Sequence, residues 1–303
     1  MTSVRGTDIP EADGPAAATA QPLPAGGGSN DRRLIVMVPG AQELDPARSV
    51  RRSRRLTRAL SVLVPIALIL LWQGAAEWGW IDVRFFPAPT KIVADWQRLF
   101  KGGVYWTHLW ASVQRILYGY LWGAGLGLLS GLLIGRTKII KAALEPTIVA
   151  LYTVPKLAIL PLLLLILGIG EAPKIMLIAI TVYFIVLINT VGALETVPLG
   201  HIEAGRSFGL KRFDMIRHVI LPSAMPQIFI GLRLAAGIAV LALVGAEFVA
   251  AKAGLGFLIW NSWNIGVPSY MYIGIVSIAV LGVLANSLLR FLQKIAVPWD
   301  RTN

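Results

Sequence analysis

Cysteine is absent from the 303 residues. That excludes disulfides, thiolate metal sites, thiol nucleophiles and iron–sulfur clusters held by cysteine. Histidine is scarce: His108, His201 and His218 lie far apart and show no ligand spacing such as H-E-x-x-H. No G-x-x-x-x-G-K-[ST] loop occurs, so the chain offers no P-loop for a nucleoside triphosphate. Charge is scarce too. Charged residues make up 15% of the chain and hydrophobic residues 56%, against about a quarter charged in an average soluble chain. Mean hydropathy is +0.68. These proportions exclude an ordinary soluble enzyme and a wholly disordered chain. The formal net charge of +12 would suit nucleic acid in a polar protein. Here the basic residues sit between apolar runs and just before the first one, which suits membrane topology and anionic headgroups.

Six apolar runs are long enough to cross a hydrocarbon core as helices: roughly 59–79, 113–135, 143–168, 174–196, 227–250 and 270–293. They are continuous rather than alternating, so barrel strands are excluded and an all-α integral membrane protein is expected. Residues 1–55, rich in Ala, Pro, Gly and polar side chains, read as a disordered tail. Leu34–Val38 is apolar but too short to span. The first long run begins too late for a cleavable signal peptide. Arg48, Arg51, Arg52, Arg54, Arg55 and Arg58 precede the first run. With the other loop cations, such as Arg136, Lys138, Lys211 and Arg212, they predict both termini on the cytoplasmic side.

Within the spans, Gly119, Gly123, Gly127, Gly131 and Gly135 recur every four residues. They therefore line one helix face and let another backbone approach closely, within the subunit or between subunits. Pro155 and Pro161 flank Lys156 and predict an interrupted third span. A lysine there must face a polar path that favours anions, or satisfy itself by snorkelling, on a carboxylate or on carbonyls freed by the kink. Glu247, near one end of the fifth span, is expected to pair with a basic residue or to hold a gate. Asn189 and Thr190 are expected to hydrogen-bond between helices. Lys156, Asn189 and Glu247 are the candidate pathway residues.

The connection from Pro198 to Pro222 is the longest expected cytoplasmic one. Phe213, Ile216 and Ile220 recur at helical spacing, Gly209 interrupts the pattern, and Pro222 is expected to end it. The expected form is two short helices with a glycine elbow. Such an element either lies on the membrane surface or docks in a partner's groove.

Glu203-Ala204-Gly205, then Gly209, then Val219-Ile220-Leu221-Pro222 resembles the EAA loop of permease subunits of binding-protein-dependent ABC importers. The usual pattern is E-A-A-x3-G-x9-I-x-L-P; this chain has Gly205 for the second alanine and Val219 for the isoleucine. The resemblance is nearest to nitrate/sulfonate/taurine-type permeases. It covers nearly all of 59–300 through Phe86-Pro-Ala-Pro-Thr, Pro155-Lys-Leu-Ala-Ile-Leu-Pro-Leu, Gly168-Ile-Gly-Glu-Ala-Pro-Lys, Gly231-Leu-Arg-Leu-Ala and Ala253-Gly-Leu-Gly-Phe-Leu-Ile.

The resemblance implies a type I importer transmembrane domain over 56–300, with a cytoplasmic coupling loop at about 197–225. It implies a bacterial inner-membrane protein that is not itself an enzyme and has no cofactor of its own. ATP is then bound by a cytoplasmic ATPase dimer that grips Glu203, Ala204, Gly205 and Gly209, with Leu221 and Pro222 ending the following helix. An extracytoplasmic binding protein delivers the solute, and two permease subunits pair in the lipid, with no role for nucleic acid. A nitrate-, sulfonate- or taurine-like anion is the expected cargo. A pyrimidine or flavin precursor, or a transporter driven by an ion gradient, is the alternative.

Overall fold

The computed structural model describes residues 46–299, with side chains for Thr57 and from Ala59 onward. The expectation of disorder for 1–45, with the apolar island at 34–38, lies outside the described residues. Internal contacts divide the chain into residues 1–61 and 62–303. Among the described residues all regular structure is helical. The elements are α1 Pro46–Glu77, α2 Pro89–Lys101, α3 Val104–Gly135, α4 Lys138–Thr153, α5 Leu160–Leu167, α6 Ala172–Glu195, α7 Leu199–Ser207, α8 Arg212–Met215, α9 Leu221–Ala250, α10 Leu255–Asn264 and α11 Pro268–Ala296.

Helix α1 begins at Pro46, inside the stretch expected as tail. Proline is accommodated in a first helical turn, and the Ala, Arg and Leu residues that follow favour helix. Five apolar stretches are long enough to span: Ala59–Glu77, Val104–Gly135, Ala172–Glu195, Arg212–Ala250 and Pro268–Ala296. The expected third span is two helices bent by 83° across Val154 and Pro155.

The arrangement of α3 against α6 decides how that bent pair runs. A Cβ at Gly119 would come 2.7 Å from Ile178, at Gly127 2.7 Å from the Tyr183 carbonyl oxygen, and at Gly131 2.7 Å from Thr190. Gly123 meets Ala179 and Val182, and Gly135 meets Leu194. Residue numbers rise together along both helices, so α3 and α6 run parallel in contact. Parallel neighbours need a connection that returns the chain to the starting end. The bent pair α4–α5 makes that return, so it is one broken crossing and the described chain crosses six times.

The core lies where α3, α6 and α9 meet, around Ala124, Ile178, Val182, Val186, Ala235, Ala239 and Leu243. Helix α4 has no buried residue. Two further helices, α2 and α10, are too short to span at about 1.5 Å per residue. They pack together on α11 through Leu99, Leu258 and Ile273.

Candidate functional site

Two places gather functional side chains: the α7–α8 loop, and a buried ion-pair cluster at the other end of the bundle.

Helix α7 ends in a Schellman closure. Leu210 N–H donates to the Gly205 carbonyl at 3.1 Å and Gly209 N–H to the Arg206 carbonyl at 2.9 Å. Gly209 sits at φ +72°, a conformation glycine adopts without strain. Gly205 is buried: a Cβ there would lie 2.8 Å from Met215 Sδ. The Met215 side chain thus fills the space that the usual second alanine of the motif would need. His201 Nδ1 lies 3.1 Å from Ser223 Oγ, tying α7 to the start of α9. His201, Pro222, Ser223, Pro226 and Trp299 line a groove of about 360 Å³. Glu203, Ala204 and Arg206 are exposed. Leu199, Phe208 and Phe213 are exposed too, at 73%, 85% and 65% of their surfaces, so apolar side chains stand among the charged ones on this loop.

Leu221 and Pro222 do not end a helix. From α8 the chain passes through a π turn at Ile216–Ile220 directly into α9. Leu221 N–H donates to the Ile216 carbonyl, five residues back. Proline has no N–H to give, and the wider turn shifts the ladder just before it. The loop is therefore the N-terminal end of a spanning helix joined by an elbow to α7. Phe213 is exposed while Ile216 and Ile220 are half-buried, and Met215 is buried instead.

At the opposite end, Glu247 is fully buried on α9. Its Oε1 accepts from Ser112 Oγ at 2.8 Å and from Arg115 Nη1 at 2.7 Å. Its Oε2 accepts from the Gly256 N–H at 2.7 Å, at the start of α10. Arg115 also donates to both carboxylate oxygens of Glu171 and to the Ala253 carbonyl. Lys174 completes the cluster with a 2.8 Å bond to Glu171. Two cations and two carboxylates balance and each is hydrogen-bonded, as burial requires of Arg115, Lys174 and Glu247, while Glu171 is exposed. Glu171 lies between α5 and α6. Hydrogen bonds from Arg115, and then Lys174, hold its carboxyl down at about 2.

Lys156 is satisfied locally. Its Nζ donates to the carbonyls of Leu151, Tyr152 and Val154 at 2.7–2.8 Å, and it lies 5.0 Å from the Phe184 ring centroid. An ammonium has three N–H donors, and the carbonyls freed where α4 breaks take all three. The Asn189 amide donates back to Ile185 within α6, not across helices. Its Cβ faces Gly231, which has no side chain to offer. Thr190 Oγ1 is buried without a hydrogen-bond partner among the described residues. Lys156, Asn189 and Glu247 line neither the groove at His201 nor the cavity beside Lys141 and Glu195.

The family described as "Binding-protein-dependent transport system inner membrane component" matches residues 123–299. The chain belongs to this family. It is 37% identical to the aliphatic sulfonates transport permease protein SsuC of Bacillus subtilis, over 78% of this chain and 86% of the relative. It is 31% identical to the taurine transport system permease protein TauC of Escherichia coli, over 82% and 91%. Other relatives carry the names of nitrate and riboflavin permeases. The fold is similar to a chain of the MetNI methionine ABC transporter in an inward-facing form. That similarity has a TM-score of 0.56 at 21% identity, over 62% of this chain and 93% of the other. The protein is thus an inner-membrane permease subunit of a binding-protein-dependent ABC importer, and such subunits are not enzymes. In this permease, sequence alone singles out Lys156 and Glu247 but passes over Arg115, Lys174 and Arg233. Arg115 and Arg233 fall inside the second and fifth expected spans, so the signal was present as charge in an apolar run.

Proposed function

We propose that this permease imports a small oxyanion, of the nitrate, sulfonate or taurine class, released to it by an extracytoplasmic binding protein. A cytoplasmic ABC ATPase dimer drives the cycle by gripping α7, and two copies of the permease pair around the path. Both termini then lie in the cytoplasm, with α2, α10 and the Arg115 cluster at the outer end. The chain needs no cofactor of its own. The observation that carries the reading is the exposed face of α7, fixed by the Gly209 closure and continuous through α8 with α9. A push on α7 is delivered along a spanning helix rather than absorbed in a slack loop. Contacts to that face bias inward and outward states only if they differ between them.

The cargo class rests on the sulfonate, taurine and nitrate names among the relatives. Lys156 lends it little, since its donors are occupied. A flavin-type cargo is the second reading, favoured by the riboflavin permease relative, 27% identical with 98% of its length covered.

The test is reconstitution in liposomes with the ATPase and binding protein. Gly209→Pro cannot adopt φ +72° and removes the N–H given to Arg206; Glu203→Lys reverses the charge on the exposed face. Both variants should insert normally and keep basal ATP hydrolysis while losing uptake. Normal uptake by both refutes the coupling role.

A further inference from the structure

Charge inside the apolar crossings is almost all accounted for. Arg115 and Lys174 hold carboxylates, Lys141 pairs with Glu145 and Glu195, and Lys156 holds three carbonyls. Arg290 and Lys294 lie in the last turns of α11, where long side chains reach the interface. Arg233 is different. It lies well inside α9, about 21 Å along the axis from Glu247 at 1.5 Å per residue. It has no hydrogen bond or ion pair among the described residues, although a guanidinium carries five donors.

Its surroundings show where it sits. Ile228, Ala235, Ala239 and Leu243 of α9 are buried against the rest of the bundle. Gly231 abuts Asn189 of α6, and the Leu232 carbonyl accepts from Tyr120 Oη at 2.9 Å. Ile230, Leu234, Gly237 and Leu241 form a strip that no other helix covers among the described residues. Arg233 is half-buried at the edge of that strip. One turn further on, a Cβ at Gly237 would meet nothing within 4 Å. An arginine bordering lipid at this depth is costly. A strip that faces a polar path removes that cost.

We propose that Arg233 lines the translocation path and contacts the anionic head of the cargo. This rests on the reading of the chain as an anion-importing permease and adds the residue that recognises the anion. A planar guanidinium offers two parallel N–H donors to a sulfonate, nitrate or carboxylate edge, which a lysine cannot reproduce. A single half-exposed arginine also releases what it binds, as a conduction step requires.

The test uses the full importer, with ATPase and binding protein, in liposomes, and follows uptake of labelled taurine and nitrate. Wild-type protein should take up one of them. Arg233→Gln should lower that uptake by at least about tenfold, the loss expected for a charge-assisted bond. Its ATP hydrolysis should still respond to loaded binding protein, and Arg233→Lys should recover only a minor part of the uptake. Wild-type-like uptake by either variant overturns the role of Arg233 and leaves the importer reading standing. Wild-type protein that carries neither anion overturns the anion reading itself. A second measurement keeps Arg233 in place and exploits the absence of cysteine. Gly237→Cys should react with a water-borne anionic methanethiosulfonate, and taurine or nitrate should slow the reaction. A thiol inert in both resting and ATP-bound importer places the strip against lipid and overturns the proposal.

Discussion

Arg115 Nη1 lies 2.7 Å from Glu247 Oε1, across the contact of α3 with α9, and the other edge of the same guanidinium holds Glu171. One side chain thus ties two spanning helices to the turn that precedes a third. Removing one partner leaves the other charge buried and alone. Arg115→Met should destabilise by about 3–5 kcal/mol, the usual cost of breaking a buried pair. Arg115→Met with Glu247→Met should recover much of the loss, because the orphaned carboxylate is gone. Thermal unfolding of the two singles and the double in nanodiscs measures the coupling.

Glu171 gives that cluster a pH dependence with a definite sign. Its carboxyl is held at about 2 against an ordinary 4.5. The stability it contributes is complete above about 4.5 and is lost as pH falls from there through about 2. Glu171→Gln should therefore lower the melting temperature at pH 7 but change it little near pH 2. A difference independent of pH would contradict the ion-pair role.

The glycine face of α3 makes a positional prediction. Gly127→Leu would drive a side chain against the Tyr183 carbonyl and Val186, costing about 1–3 kcal/mol or more by overpacking. Gly125→Leu, with nothing within 4 Å of its Cβ position, should be tolerated. Expression level and complex size of the two variants make the comparison; equal behaviour would show that α6 does not need the groove.

Within the loop, Gly205→Ala should cost less than Gly209→Ala, since the added methyl meets the flexible end of Met215, which yields. Gly209→Ala should cost about 1 kcal/mol, because its φ is positive. Reversing that order would mean the elbow is not fixed by Gly209.

The six crossings were legible from hydropathy because lipid allows few alternatives to a long apolar helix. The Gly209 elbow was legible because glycine is the residue that adopts its conformation easily. Periodicity could not show that Pro222 lies within a continuing helix. A proline early in a helix and a proline ending one look alike until the hydrogen bonds before it are known. The partners of Glu247 were equally hidden. Arg115 and Gly256 reach it through tertiary packing, and nothing in local spacing connects residue 115 to residue 247. Lys156 read as exceptional because its carbonyl partners arise only from the break beside it.

The parallel run of α3 beside α6 also constrains how the chain is made. When α3 leaves the ribosome, the helix that fits its glycine face has not been synthesised. The next helices out, α4 and α5, must enter the membrane without taking that place. The groove from Gly119 to Gly135 therefore stands vacant through the making of its neighbours, and assembly is obliged to be out of sequence order.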